Sequence, residues 1–546
     1  MRRQSSVIAV AVTVVLTLAG CVGIPSSGGV KEGPLIDNPD SPEVEFVVSG
    51  PQKDASQEEI LAGFMQAVRA PQSNFTIARQ FFTTEMASTW APDEGTTIRS
   101  GAATTAVGSG PDTLSYTVTT AALVDARGRY TEPPAAAQTL SFGFTQQDGQ
   151  WRISAAPPGI VLSISSFNLV FTEQSLYFFD PSYRYLIPDV RWFPKRSNLI
   201  STTVSELLAG PTEWLIQAAV TAFPQATTRD SVSVEPGLAT VALSNEALAS
   251  SPVARDQMRQ QLVATLGIAN VVITVGGTEL PTPNASGDAA ITPTVDSAAL
   301  IGTGDEFGFD GGSGIAGVPG VSTLVVGANA TGASLAQSKL SAAILSAEGV
   351  SLATSGVGGL VGLDDRPGLV RPSIDPFGFI WTAQGANAAS LLTVDAGRVR
   401  HELQSGLPSD TQIVSLAVSR DGARLLLYLA TPTGPGLFVA GIIRQDTIPV
   451  RLGGLFPLTT PNGEPMDATW VDDRSVATVS TTGTITLVEI GGPTQLLGQL
   501  ENATSIAGGT GGPDGLRVLS DGELWRSQGS GWVPTGIRAS FLATKQ

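Results

Sequence analysis

An uncharged apolar run from Val7 to Ala19 stands behind Arg2 and Arg3 and gives way to Gly20 and Cys21. Basic start, apolar core and small residues in that order read as a secretory signal over residues 1–20 rather than as part of a fold. From Gly23 to Pro42 the chain mixes Gly, Pro, Ser and Asp without a period, so residues 21–50 are expected to form a tether. Periodicity begins at Ser56. With Glu59 three residues on it makes a capping-box pattern, and Ile60, Leu61, Phe64, Met65 and Val68 recur at helical spacing until Pro71. A second short helix is expected from about Asn74, carrying Phe75, Ile77, Ala78, Phe81 and Phe82. The period then changes to two: Tyr116–Thr119 and Leu140–Phe144 alternate as strands, and Gln147-Asp148-Gly149-Gln150 is a turn into Trp151-Arg152-Ile153. Helices followed by an antiparallel sheet predict an α+β domain over 51–165.

Strands and helices alternate over 166–297. Leu176–Asp180 and Tyr185–Pro188 pair around a turn at Asp180-Pro181-Ser182-Tyr183. Val204, Leu207 and Leu208 mark a helix stopped by Gly210-Pro211. Thr240–Leu243 and Val271–Val275 read as strands flanking a helix with Met258, Leu262, Val263 and Leu266 on one face and Gly267 at its end. The result is a compact α/β unit followed by a linker. From 298 to 546 the chain is rich in Gly, Thr, Val and Ser with few helix signals. Apolar strand segments recur at Leu340–Leu352, Ile374–Thr382, Val414–Leu429, Ala468–Val479 and Leu516–Arg526. Their uneven intervals centre near the ~40 to 50 residues of a propeller blade. Asp421-Gly422 and Asp521-Gly522 suit tight hairpins, so an all-β propeller of five or six blades is expected.

Composition agrees with this multi-domain plan. A chain of 546 residues exceeds the ~250–300 at which single cores stop growing. With 42% hydrophobic and 14% charged residues it is no general disordered polymer. The formal net charge of −17, more negative once Arg2 and Arg3 are removed, repels nucleic acid and anionic headgroups. No nucleic-acid partner is expected, and no basic patch is available to hold the chain on an anionic membrane surface. Cys21 is the only cysteine, so no disulfide can form within the chain.

No catalytic constellation emerges, so no catalytic residue, metal ligand or cofactor site is assigned. The single histidine, His401, lies in the polar stretch Arg398–Glu402 and reads as a loop or strand-edge residue. Gly312-Ser313-Gly314-Ile315-Ala316-Gly317 matches Gly-x-Gly-x-x-Gly literally, but it lacks a preceding strand, and Pro319 interrupts any helix after it. Asp305, Glu306 and Asp310, together with Asp364-Asp365 and Asp472-Asp473, offer hard oxygen ligands of the kind calcium takes. Their spacing fits no twelve-residue calcium loop, and turn chemistry explains them better.

Four resemblances give these segments names. Leu18-Ala19-Gly20-Cys21 resembles the lipobox of bacterial lipoproteins, in which the cysteine receives diacylglycerol and the signal is cut just before it; lipidation is therefore expected at Cys21. "ARQFFTTEMASTW", "GRYTEP" and "DGQWRIS" resemble an NTF2-like cone domain. "YFFDPSYRYLIPDVRWFP", "ELLAGPTEWL", "TAFP" and "VEPGLATVALSNEA", in that order, resemble the GerMN domain. The order of lipobox, cone, GerMN and propeller is similar to the LpqB family of actinobacterial lipoproteins, a resemblance covering nearly the full length. It implies a non-enzymatic protein held on the extracytoplasmic face of the cell membrane. It further implies association with the external part of an MtrB-type sensor histidine kinase, modulating that two-component system, cell-envelope homeostasis and division. Two other expectations stand beside it. One is binding of peptidoglycan, with Tyr183, Tyr185 and Trp192 as aromatic candidates unless they are core packing. The other is a hydrolase whose carboxylates converge in the propeller channel.

Overall fold

A computed structural model describes residues 48–546 apart from 111, 283–288, 295–297, 313, 510 and 530. Cys21, the signal and the greater part of the tether lie outside the described residues. The described residues belong to one compact unit.

In the first domain the capping box at Ser56 forms as written in the sequence. Ser56 Oγ accepts from Glu59 N at 3.3 Å and Glu59 Oε2 accepts from Ser56 N at 2.8 Å, satisfying two otherwise orphaned amides of the helix Gln57–Ala67. That helix buries Ile60, Leu61, Phe64 and Ala67. The second helix, Gln72–Arg79, departs from expectation: Ser73, Asn74 and Phe75 take left-handed angles at its start. Phe75 is drawn into the aromatic core at 5.8 Å from Trp90, so burial outweighs the local backbone preference. A sheet in the order Gln150–Ala155, Ala136–Gln147, Thr113–Asp125, Gly95–Val107, Ile160–Ser163 packs against these helices. Bulges after Ile98 and Ser100 bend its long strand Gly95–Val107. The result is the curved α+β plan expected of a cone domain.

The middle domain starts with the hairpin Phe171–Phe179 and Leu186–Pro194. Its turn is held by Asp180, whose Oδ1 accepts from Arg184 N at 2.7 Å and Tyr185 N at 2.6 Å. A second sheet has the order Thr278-Glu279, Asn270–Val275, Leu238–Leu243, Arg229–Glu235. Its two central strands run parallel, joined by the helix Pro252–Leu266. Gly267 ends that helix at φ 66°, a left-handed cap that suits glycine.

Among the described residues the C-terminal region folds into four four-stranded sheets and one eight-stranded sheet, in which two further blades are joined by the parallel pairing of Ser334 with Thr544 and Leu335 with Lys545, six blades in all. Their innermost strands begin at Gly332, Ser373, Gln412, Pro465, Ala503 and Phe541. Most of these intervals are close to ~40 residues, and the fourth blade is longer because its outer strands, Gly434–Gln445 and Ile448–Leu458, are long. The apolar segments read from the sequence looked less regular because they caught different strands of each blade. Leu340–Leu352 spans second and third strands, whereas Ile374–Thr382 spans first and second. The ring closes by mixed origin: Phe541–Lys545 becomes the innermost strand of blade one beside Leu300–Gly302, pairing Leu300 with Ala543 and Gly302 with Phe541. Any side chain at 302 would meet the Phe541 ring at about 2.1 Å, so the closure requires glycine there.

Candidate functional site

The propeller channel is where convergent carboxylates would mark a hydrolase. Its buried carboxylate is Asp467 on the inner strand of blade five. Arg371, at the entry to blade three, reaches across with Nη2 to Asp467 Oδ1 at 2.8 Å and Nη1 to Oδ2 at 3.0 Å. Ser415 of blade four and Ser505 and Ile506 N of blade six donate to the same carboxylate at 2.8, 2.9 and 3.0 Å. The other buried acids are matched in the same way. Asp364 pairs with Arg366 at 2.7 Å, Asp375 with Arg444 at 2.6 Å and Asp421 with Arg424 at 2.5 Å. Burial raises the Asp364 carboxyl, but hydrogen bonds from Arg366 and Thr382 outweigh it and leave the group below the ordinary carboxylate range. Each of these carboxylates is committed to a guanidinium, which is the chemistry of a structural clasp rather than of an acid and base pair.

The remaining candidates resolve into turns and edges. His401 lies on the outer strand Arg400–Glu402 of blade three, its Nε2 3.0 Å from Asp395 Oδ2. Asp305 and Glu306 occupy one turn of blade one, and Asp310 lies a strand's length away, where Oδ1 accepts from Gly312 N. Asp472 caps its own turn through Arg474 N and Ser475 N. Asp365 is exposed beside Arg400. Among the described residues no three His, Cys, Asp or Glu side chains gather as a metal site. Ile315–Gly317, the end of the glycine motif, forms an edge strand against Gly308–Asp310.

The three aromatic candidates are taken up in packing. Tyr185 is 1% exposed and meets Phe377 of the propeller edge-on at 5.9 Å. Tyr183 packs on Phe179 at 5.3 Å. Trp192 lies between Tyr130 and Phe167 of the first domain's core, at 5.9 and 5.1 Å, and its Nε1 donates to Gly491 O of the propeller at 2.9 Å.

Trp192 marks a joint at which all three domains meet, and no local sequence signal pointed to it. From the cone, Glu132 accepts from Thr459 Oγ1 at 2.5 Å and Thr494 N at 3.1 Å of the propeller. Arg127 donates to Glu206 at 3.1 Å and Gly210 O at 3.0 Å of the middle domain. From the middle domain, Glu173 pairs with Arg474 of blade five, and Tyr177 Oη lies 3.4 Å from Asp473 Oδ2. Burial raises Asp473, and burial together with Glu173 pushes Glu489 up to about 8. A stacked pair, Trp214 on Phe456 at 5.4 Å, adds an apolar contact. Near the joint the cone opens into a cleft of about 540 Å³ walled by Phe64, Met65, Leu140 and Phe142, with Phe456 of the propeller at its rim. Of the ionic groups that line it, Arg129 and Asp125 pair with each other at 2.5 Å, and Glu94 is the third.

Cone, α/β module and six-bladed propeller, fused through one joint, define a three-domain protein. Comparison with known proteins names each part. Residues 50–168 match the family model "Lipoprotein LpqB, N-terminal domain", 175–281 "Sporulation and spore germination", and 309–538 "Lipoprotein LpqB beta-propeller domain". The chain belongs to the LpqB lipoprotein family. The Lipoprotein LpqB of Cutibacterium acnes is 32% identical over 50% of this chain and 47% of its own length; that of Streptomyces coelicolor is 29% identical over 51% and 50%. These alignments span about half of the relatives. With the Streptomyces avermitilis protein the match is 25% identical over 85% of this chain and 84% of that one. Among solved structures, the tandem GerMN domains of Bacillus subtilis GerM share 20% identity over 25% of this chain and 48% of that chain, at a TM-score of 0.18. The Myceliophteria thermophila Cps50 (Swd1) propeller shares 14% over 44% and 88%, at 0.31. At those scores the fold rests on the sheets described above. No helix among the described residues is long and apolar enough to cross a membrane.

Proposed function

We propose that this lipoprotein is anchored through acylated Cys21 on the extracytoplasmic face of the cell membrane. There it binds the external domain of an MtrB-type sensor histidine kinase and modulates its signalling, and with it cell-envelope homeostasis and division. The observation that carries a binding role is the commitment of the buried propeller carboxylates to arginines, most completely at Asp467, which leaves a ring built for rigidity. The partner's identity draws on the family resemblance. Acylation at Cys21 supplies the membrane affinity that an acidic surface lacks.

The test is co-purification of the membrane-anchored protein with the kinase's external domain. Retention of the kinase domain above a lipoprotein control is the expected outcome; none in the presence of membrane removes the partner. Sedimentation with purified peptidoglycan serves as the contrasting measurement, because Trp192 and Tyr185 are occupied in the joint. Cys21→Ser is expected to give an uncut, unacylated precursor that loses kinase modulation while the downstream domains keep the melting profile of the unaltered chain. An acylated Cys21→Ser variant would remove the anchor assignment.

A further inference from the structure

The cone cleft of about 540 Å³ has apolar walls: Phe64 and Met65 from the first helix, Leu123, Leu140 and Phe142 from the sheet, and Ile160. At the end where Gly95 pairs with Asp125 it carries two carboxylates, Glu94 and Asp125, and its one guanidinium there, Arg129, is taken up by Asp125. The other end is basic. There a recess of about 200 Å³ shares Met65 and Val161 with the cleft, so the two adjoin. Arg69, Arg99, Tyr116, Ser163 and Ser166 line it, and no carboxylate does. Register explains the junction: Thr97 lies opposite Val161 and Arg99 opposite Ser163, so alternate residues of Ile160–Ser163 carry one wall from cleft to recess. Tyr116 of the recess meets Phe142 of the cleft edge-on at 6.5 Å. Arg99 spends one of its five N–H groups on Gly101 O. Ser166 is 8% exposed; it accepts the Ser163 hydroxyl at 3.0 Å, and its own proton has no acceptor among the described residues.

A recess with two guanidiniums and a buried hydroxyl donor suits an anion, because the guanidinium fork matches carboxylate and phosphate alike. The adjoining apolar walls suit hydrocarbon, each buried methylene favouring binding about fourfold. We propose that cleft and recess form one binding site for a single-chain anionic amphiphile. The acyl chain lies between Phe64 and Phe142, and a carboxylate or phosphate head meets Arg99 and the Ser166 hydroxyl. Glu94 and Asp125 repel such a head from the Gly95 end, which fixes the direction of the ligand. From Gly95 to Arg99 the strand runs roughly 13 Å, so the chain has length to lie along it. Phe456 of the propeller also lines the cleft, and an occupied site therefore touches two domains. The site does not depend on which partner the protein binds.

Photocrosslinking of the full chain in phosphatidylcholine vesicles, which supply no competing net anion, tests this, with adducts mapped by mass spectrometry of the peptides. Three probes share one photoreactive palmitoyl chain and differ in the head: palmitate, lysophosphatidate and uncharged monopalmitoylglycerol. Adducts are expected in Gln57–Ala67 and Ala136–Gln147, about tenfold more from an anionic probe than from the neutral one at equal concentration. Labelling by only one of the two anions assigns the head to that group. Arg99→Ala is expected to cut anion labelling about tenfold and leave the neutral probe unchanged, a selectivity that loosening of the cone would not produce. Leu140→Trp, which fills the cleft, is expected to abolish labelling by all three probes while the melting profile is kept. The comparison of heads in the unaltered chain stands even where a variant misfolds. Absent or scattered adducts, equal labelling by neutral and anionic probes, or anion labelling that survives Arg99→Ala overturns the site.

Discussion

Asp467 ties four blades of the ring together through one carboxylate: Arg371 comes from the entry to blade three, Ser415 from four, the aspartate from five, and Ser505 with Ile506 N from six. Such a clasp costs desolvation when it forms, and removing one partner strands the other charge. Asp467→Ala leaves Arg371 without its carboxylate and is expected to destabilise the propeller by about 3–5 kcal/mol. Replacing both partners by apolar residues, Arg371→Met with Asp467→Leu, is expected to recover most of that loss. The midpoints of urea unfolding of the two variants check this, and a double variant no better than Asp467→Ala would show that the clasp does more than balance charge. Nothing local in the sequence announces the pair, because its members are 96 positions apart.

Hairpins were the part of the fold most legible in the sequence, yet the same dipeptide does two jobs. In Asp521-Gly522 both residues have positive φ, 50° and 71°, the two-residue turn that matches strand twist, and Asp148-Gly149 repeats it at 54° and 74°. In Asp421-Gly422 the aspartate is 2% exposed; its Oδ1 accepts from Ala423 N and Ser419 Oγ while Oδ2 takes Arg424. Arg424 is buried too and lies over the Trp470 ring at 4.8 Å. Asp521→Ala is therefore expected to cost no more than about 1–2 kcal/mol, the cost of alanine in a left-handed position. Asp421→Ala, which orphans a buried guanidinium, is expected to cost about 3–5 kcal/mol. Comparative chemical denaturation of the two variants measures the difference; equal losses would refute this division of roles. Helix caps at Ser56 and Gly267 were readable for the same reason as the turns, since their signals lie within a few residues. The left-handed start of Gln72–Arg79 was not, because the pull on Phe75 comes from Trp90 and from Arg196, whose guanidinium lies 4.7 Å over the ring.

At the scale of the whole molecule the order of the domains could be read along the chain, but their fusion could not. The contacts that fuse them join positions hundreds of residues apart, as Trp192 does with Gly491 and Glu132 with Thr494. Trp192 reads in the sequence either as a ligand-facing ring or as core packing, and its place between Tyr130, Phe167 and the propeller is the packing alternative. Its indole does two separable things: the ring fills space between cone and middle domain, and the N–H reaches the propeller backbone. Trp192→Phe keeps the first and drops one hydrogen bond, so a loss of about 1 kcal/mol and a single unfolding transition are expected. Trp192→Ala loses the packing as well, about 3–5 kcal/mol, at the one place where all three domains touch. Of the staples that remain, Glu132 to Thr459 and Glu173 to Arg474 are polar and individually weak, and Trp214 on Phe456 and Tyr185 against Phe377 tie only the middle domain to the propeller. Calorimetry of Trp192→Ala is therefore expected to resolve the propeller as a transition of its own, separate from the other two domains. A single cooperative transition in that variant would mean that the remaining staples suffice to make the domains unfold together.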